Sequence, residues 1–191
     1  MAGRPRQFDR EAVLDKAVLL FWRQGFEATG IAQLSDTLGV GRQSLYGTFG
    51  DKRGLFVAAL ERYADGCIRD MAATLDRSGP ALANLHAVLD GWVRSARCDS
   101  YCGCFLANSC AEFGVRDPEL ADLLGRNLGR MSRLLQGAIE RAQAEGDIDA
   151  ETDARAVART LVNTAHGLST AGKVDRGFAE DAVNQVRRLL A

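Results

Sequence analysis

The sequence predicts an all-α fold of about nine helices. Apolar residues recur at spacings of three and four from one end to the other, and no stretch alternates with the two-residue period of a strand. Between these stripes stand Gly, Pro, Asp and Thr, the residues that stop and start helices. The 191 residues are 47% hydrophobic and 26% charged, an ordinary globular composition with enough chain to bury a core. Neither an internal repeat nor a low-complexity tract interrupts them.

In the first stripe, Val13, Leu14, Ala17, Leu20 and Phe21 share one helical face, predicting a helix from about Arg10 to Gln24 with Gly25 at the position of a left-handed cap. Thr29 offers an N-cap hydroxyl to a short second helix carrying Ile31, Leu34 and Leu38, which Gly39 ends. Val40 packs in the turn, and a third helix after Gly41 has Leu45 and Phe49 as its buried side. Asp51 caps a long fourth helix with the stripe Phe56, Leu60, Tyr63, Cys67 and Met71, closed by Gly79 and Pro80. Leu82, Leu85, Leu89 and Trp92 mark the fifth, and Phe105, Leu106, Ser109 and Phe113 a short sixth. Asp117 and Pro118 open a long seventh helix bearing Leu120, Leu124, Leu128, Met131, Leu135 and Ile139, which Gly146 closes. The last two stripes are Val157, Leu161, Ala165 and Leu168, then Phe178, Ala182, Val186 and Leu189.

Two short helices joined by a tight glycine-bearing turn make a helix-turn-helix, here "LGVGRQSLYGTFGDK" at residues 38–52. Ile31, Leu34, Val40, Leu45 and Phe49 pack the pair, and the small Ser35 permits their close approach. The outer face then holds Arg42, Gln43, Ser44, Tyr46 and Gly47. A helix that enters the major groove of DNA needs slim residues among its donors: Ser44 and Gly47 are slim, while arginine matches the guanine edge and glutamine the adenine edge. Tyr46, Thr29 and Lys52 suit phosphate contacts, which position without reading sequence. Formal net charge is only −1, yet residues 1–56 hold eight Lys and Arg against six Asp and Glu, and the remainder sixteen against nineteen. Positive charge leans toward the helix-turn-helix, with Arg4 and Arg6 in a leading arm suited to a minor groove.

Residues 8–56, including the threonine before the second helix, "LYGTFGDK" and the "LF" that follows, resemble the DNA-binding domain of TetR/AcrR-type transcriptional regulators. The family usually has Ser or Asn where this chain has Gly41, so the third helix lacks a side-chain cap. The resemblance implies an N-terminal three-helix domain over residues 1–54 joined to a helical ligand-binding and dimerisation domain over 55–191. It implies a homodimer on a palindromic double-stranded operator, most often a repressor released by a small-molecule effector. By the family pattern Arg42, Gln43 and Ser44 face bases, and Thr29, Tyr46 and Lys52 face phosphates. Dimerisation is expected through the last two helices, where "TLVNTAHGLSTAG" is rich in small residues.

A pocket between the middle helices would draw on Trp92, Phe105, Met131 and Leu135, with Asn108, Asn127, Asn163 and His166 as polar contacts. Gly125, Gly129 and Gly137, all in the seventh helix, either allow close packing or leave room for a ligand. "ARCDSYCGCFLANSCAEFG" poses a second possibility for the trigger. Cys98, Cys102 and Cys104 follow a C-x3-C-x-C spacing suited to a soft metal ion, to reaction with an electrophile or to oxidant-driven disulfide formation, against which stands cysteine as a small buried hydrophobe. Cys67 and Cys110, on apolar stripes, read as structural.

Other classes fit less well. Two histidines, no Walker-type loop and no nucleophile elbow give no basis for an enzyme, and no cofactor is expected. No apolar run approaches a membrane-spanning length and no secretory leader opens the chain, so a cytoplasmic location away from membranes is expected.

Overall fold

The computed structural model describes residues 8–96, 103–114, 116–175 and 177–190. Among them are nine helices and no strand: α1 Arg10–Gln24, α2 Ile31–Leu38, α3 Arg42–Phe49, α4 Lys52–Leu75, α5 Ala81–Ala96, α6 Phe105–Phe113, α7 Pro118–Glu145, α8 Ala154–Ala171 and α9 Gly177–Leu189. They form two compact units, one up to Asp65 and one from Gly66, so the division falls within α4.

In the first unit, α1 packs on α2 and α2 on α3. Asp9 caps α1, its carboxylate accepting from the backbone N–H groups of Glu11 at 2.9 Å and Ala12 at 3.2 Å. The buried stripe of α1 is the predicted one: Val13, Leu14, Ala17, Leu20 and Phe21. Its ring partner on α4 is Phe56, edge-on to Phe21 with centroids 5.1 Å apart, and Phe26 completes the cluster at 5.3 Å from Phe56. Tyr63, further along α4, lies against Trp22 at 5.3 Å. These aromatic contacts tie the first part of α4 into the first unit, which is why the division comes at Asp65.

Two predicted caps differ. Gly25 has φ 80° but ψ 175°, an extended glycine conformation in place of the left-handed helical one, and its N–H donates to the Phe21 carbonyl. The N-cap of α2 is Gly30, not Thr29. Thr29 is fully buried, and its hydroxyl donates to the Gly25 carbonyl at 2.6 Å, closing the turn between α1 and α2. The connecting turn thus captures the hydroxyl before the helix can.

The second unit is a helical stack in which α7 packs on α5, α6 and α8, and α9 on α5 and α8. Leu120, Leu123, Leu124, Asn127, Met131, Leu135, Ala138, Ile139 and Ala142 are the inner face of α7. Asp117 caps that helix through Leu120 N–H at 3.1 Å, with Pro118 in its first turn, and Gly146 closes it at φ 83° and ψ 10°. Helix α4 ends at Leu75, before Gly79 and Pro80. Asn84 Nδ2 donates to the Leu75 and Arg77 carbonyls at 3.2 and 2.7 Å, and Arg141 Nη2 to Leu75 at 2.7 Å. These long-range donors satisfy the helix end. Leu82 and Trp92 are half-buried, and the core side of α5 runs through Ala81, Asn84, Leu85, Val88 and Leu89. In α9 the buried positions among the described side chains are Val183 and Val186, followed by Leu190, while the side chains of Phe178 and Leu189 lie outside those described.

Candidate functional site

The site is built from the turn between α2 and α3. Leu34, Leu38, Val40 and Leu45 are buried and fix the two helices on each other. Gly39 adopts the left-handed conformation, φ 69° and ψ 25°, and its N–H donates to the Ser35 carbonyl, ending α2. Gly41 is the N-cap of α3 and supplies no side-chain hydrogen bond, as its identity dictates.

With Leu45 turned inward, α3 presents Arg42, Gln43, Gly47 and Thr48 as exposed residues, with Ser44 and Tyr46 half-buried beside them. The Arg42 guanidinium lies 5.2 Å from the centre of the Tyr46 ring one turn on, which holds both side chains in the outer face. A Cβ added at Gly47 would meet no atom within 4 Å, so nothing inside the fold requires glycine there. Phe49 is half-buried, less sheltered than its spacing from Leu45 suggested, and the Arg10 guanidinium lies 5.5 Å from its ring centre.

The far end of α3 is held by a second close approach. Asp51 accepts from Gly54 N–H at 2.7 Å, the predicted cap of α4. A Cβ on Gly54 would stand 2.0 Å from the Phe49 carbonyl oxygen, so the turn from α3 to α4 closes only with glycine at this position. Lys52, at the start of α4, places its ammonium 4.2 Å from the centre of the Phe26 ring. Of the expected phosphate contacts, Tyr46 and Lys52 reach the surface at least in part. Thr29 does not: buried, with its hydroxyl on Gly25, it offers phosphate no side-chain atom. Arg4 and Arg6 lie outside the described residues.

Sequence reading missed an ionic cluster on α1 and α4. Arg62 donates to both carboxylate oxygens of Asp15, Nε to Oδ1 at 2.6 Å and Nη2 to Oδ2 at 3.0 Å, and its Nη1 donates to Glu11. The Arg62 hydrogen bond holds the Asp15 carboxyl below the usual carboxylate range. Separated by 47 positions, Asp15 and Arg62 leave no local pattern in the sequence.

In the second unit the proposed effector contacts divide. Phe105, Met131 and Leu135 are core residues, and Trp92 is half-buried. Asn127 is buried with both functional groups engaged, Nδ2 donating to the Leu123 carbonyl at 3.0 Å and Oδ1 accepting from Arg130 at 3.1 Å. Asn163 is exposed on α8 and lines no interior wall. Asn108 accepts from the Lys173 ammonium at 2.8 Å. His166 differs from all of these: its Nε2 is buried with no hydrogen-bond partner among the described residues, and burial pushes its pKa down. Gly125 and Gly137 face open space, and at Gly129 the nearest neighbour of an added Cβ would be the flexible tip of Arg133.

Cys104 is the N-cap residue of α6 and makes no side-chain capping bond. Cys110 is half-buried, and burial together with the neighbouring Cys104 pushes its thiol up. Cys98 and Cys102 lie outside the described residues. Among the described residues no group of His, Cys, Asp and Glu is placed to hold a metal ion, and no helix there is long and apolar enough to cross a membrane.

An exposed polar helix, packed on a partner helix through buried Leu34 and Leu38 and followed by Lys52, defines a helix-turn-helix nucleic-acid-binding protein. Residues 13–59 match the family "Bacterial regulatory proteins, tetR family", and residues 81–190 match "Tetracyclin repressor-like, C-terminal domain". The chain belongs to the TetR family of transcriptional regulators. It is 34% identical to the HTH-type transcriptional repressor ComR of Escherichia coli over 175 residues, which is 90% of this chain and 82% of ComR. Among solved structures it is similar to a cysteine variant of the TetR family regulator CifR complexed with 26-base-pair operator DNA. That likeness has a TM-score of 0.86 at 29% identity over 99% of this chain and 100% of the other. The reduced form of Escherichia coli NemR shares the fold, with a TM-score of 0.87 at 21% identity over 95% and 96% of the two chains.

Proposed function

We propose that this regulator is a cytoplasmic repressor that binds a palindromic operator as a homodimer and leaves it when a small molecule occupies its C-terminal domain. In this reading residues 1–54 address DNA, and residues 55–191 bind effector and partner. Arg42, Gln43, Ser44 and Gly47 face the bases, and Tyr46 and Lys52 the phosphates. The observation that carries it is the outer face of α3, where two exposed donors stand beside a glycine that the fold itself does not need. Glycine inside a helix costs about 1 kcal/mol relative to alanine. Close approach of a base edge gives its slimness a use. ComR, a repressor, and CifR, bound to operator DNA, support the same reading.

Dimerisation is assigned to α8 and α9. Ala156, Thr160, Asn163, Gly167 and Thr170 form an exposed stripe of small and polar residues along α8, the surface a second helix can approach closely. For the effector, His166 is the leading polar contact, because its buried Nε2 meets no hydrogen-bond partner among the described residues. Phe105, Met131 and Trp92 are the apolar walls nearest in character to an organic ligand.

The experiment is selection of duplexes from a random pool by the purified chain, repeated with Arg42→Ala. Enrichment of a palindrome that the variant enriches more weakly, with preference relaxed at one base-pair position, supports the reading. A wild-type protein that enriches nothing contradicts it.

A second trigger, thiol chemistry at Cys98, Cys102 and Cys104, is favoured by one observation. Cys104 opens α6 with its thiol uninvolved in capping, in the same turn that the Lys173 ammonium spans to reach Asn108. Diamide treatment of wild type and of the Cys102→Ser, Cys104→Ser double variant separates the triggers. Oxidant-dependent loss of operator binding in wild type alone supports thiol sensing, and indifference in both favours the organic ligand.

A further inference from the structure

We propose that Arg62 is a positioning residue for operator recognition, acting through Glu11, Arg10 and Phe49 on the end of the recognition helix. The inference rests on the DNA-binding reading of α3 given above and adds to it a residue on α4 that reaches no DNA-reading position itself.

The contacts are continuous. Arg62 grips Asp15 with a two-pronged fork, at 2.6 and 3.0 Å, and reaches Glu11 with its third nitrogen. Glu11 uses its other carboxylate oxygen on Arg10, at 3.4 Å. Arg10 in turn lays its guanidinium over the ring of Phe49, the last residue of α3, at 5.5 Å from the ring centre. Four charged side chains and one ring thus connect α4, three residues before the unit ends at Asp65, to the C-terminal turn of the helix that carries Arg42 and Gln43.

Exposure argues that the cluster acts on geometry more than on stability. The Asp15 and Glu11 side chains are 62% and 58% exposed, and ion pairs of that kind contribute little to folding free energy. A planar guanidinium held by both oxygens of one carboxylate nevertheless fixes direction, which a point charge does not. Fixing α1 on α4 fixes Arg10, and with it the lateral position of Phe49. The core below Leu45 sets the depth of α3, while this surface chain sets where its far end lies.

Asp15→Asn tests the proposal because simple electrostatics and positioning predict opposite signs. Removing a negative charge from a DNA-binding unit strengthens attraction to any duplex. Loss of positioning weakens only the specific complex. The measurement is the affinity of wild type, Asp15→Asn and Asp15→Glu for the duplex that wild type selects and for a scrambled duplex, at one fixed salt concentration, with thermal unfolding of each protein alongside. We expect Asp15→Asn to lower the selected-to-scrambled affinity ratio by about fivefold with unfolding within a few degrees of wild type, and Asp15→Glu to restore most of the ratio. An Asp15→Asn ratio equal to or above that of wild type overturns the positioning role alone. A wild type that shows no preference between the duplexes overturns the DNA-reading assignment on which the proposal rests.

Discussion

The two units of this chain carry their functions in different ways. In the first, the groups proposed to read DNA stand within one eight-residue helix, α3, and the side chain that anchors it, Leu45, lies among them. In the second, the residues proposed to take an effector come from α5, α6, α7 and α8, up to 74 positions apart between Trp92 and His166. Local function leaves a periodic mark in sequence; function assembled by packing does not.

Gly54 is the most exacting position of the first unit. Gly54→Val drives a Cβ into the Phe49 carbonyl, and the turn must open to admit it. The expected cost is about 2 kcal/mol or more in thermal unfolding, with loss of operator binding at the temperature of assay. Unfolding unchanged from wild type would show that α3 and α4 do not depend on that close approach.

Arg42→Ala removes a side chain proposed to address a base edge. Binding to the selected duplex is expected to fall roughly tenfold or more, with preference relaxed at one base-pair position, while thermal unfolding stays near wild type. A uniform loss across all sequences would reassign Arg42 to the phosphates. Lys52→Gln is the contrasting case. It should weaken binding similarly on every duplex and make the salt dependence shallower by about one unit of log–log slope.

The corresponding test in the second unit concerns His166. Burial lowers its pKa in the folded protein, so below about pH 6.5 the unfolded chain binds more protons than the folded one. Stability attached to neutral His166 is therefore complete above the unfolded pKa and declines as pH falls toward the lower folded value. Thermal unfolding between pH 7.5 and 5.5, both roughly chosen to bracket that range, should fall less steeply in His166→Gln than in wild type. Equal slopes would remove burial at His166 as a source of pH dependence. His86, lowered by burial and by Arg187, contributes in the same direction and remains in both proteins.

How much was legible follows the same division. The bounds of α1, the Asp51 and Asp117 caps and most of the buried stripe of α7, where Leu128 is half-buried and Leu123 and Asn127 are buried instead, could be read because each rests on neighbours within a turn or two. Thr29 was misread as a cap because sequence shows a hydroxyl at a helix start, while the structure engages it with a carbonyl in the preceding turn. Arg62, with its fork on a residue 47 positions away, had no local signature. Asn163 carries the right chemistry for a pocket wall, yet the helix turns it outward. A single stripe fixes which face is apolar and leaves open what the other face meets.

In the proposed function α3 reads a specific duplex while Lys52 and Tyr46 hold the backbone, and fluorescence anisotropy against salt separates these two roles. Wild-type protein should bind the selected duplex more tightly than a scrambled one at every salt concentration. Both affinities should fall steeply as salt rises, and the preference should vanish in an Arg42→Ala, Gln43→Ala double variant that still folds. Equal binding to both duplexes by wild type, or a double variant that keeps the preference, would contradict a DNA-reading role for α3.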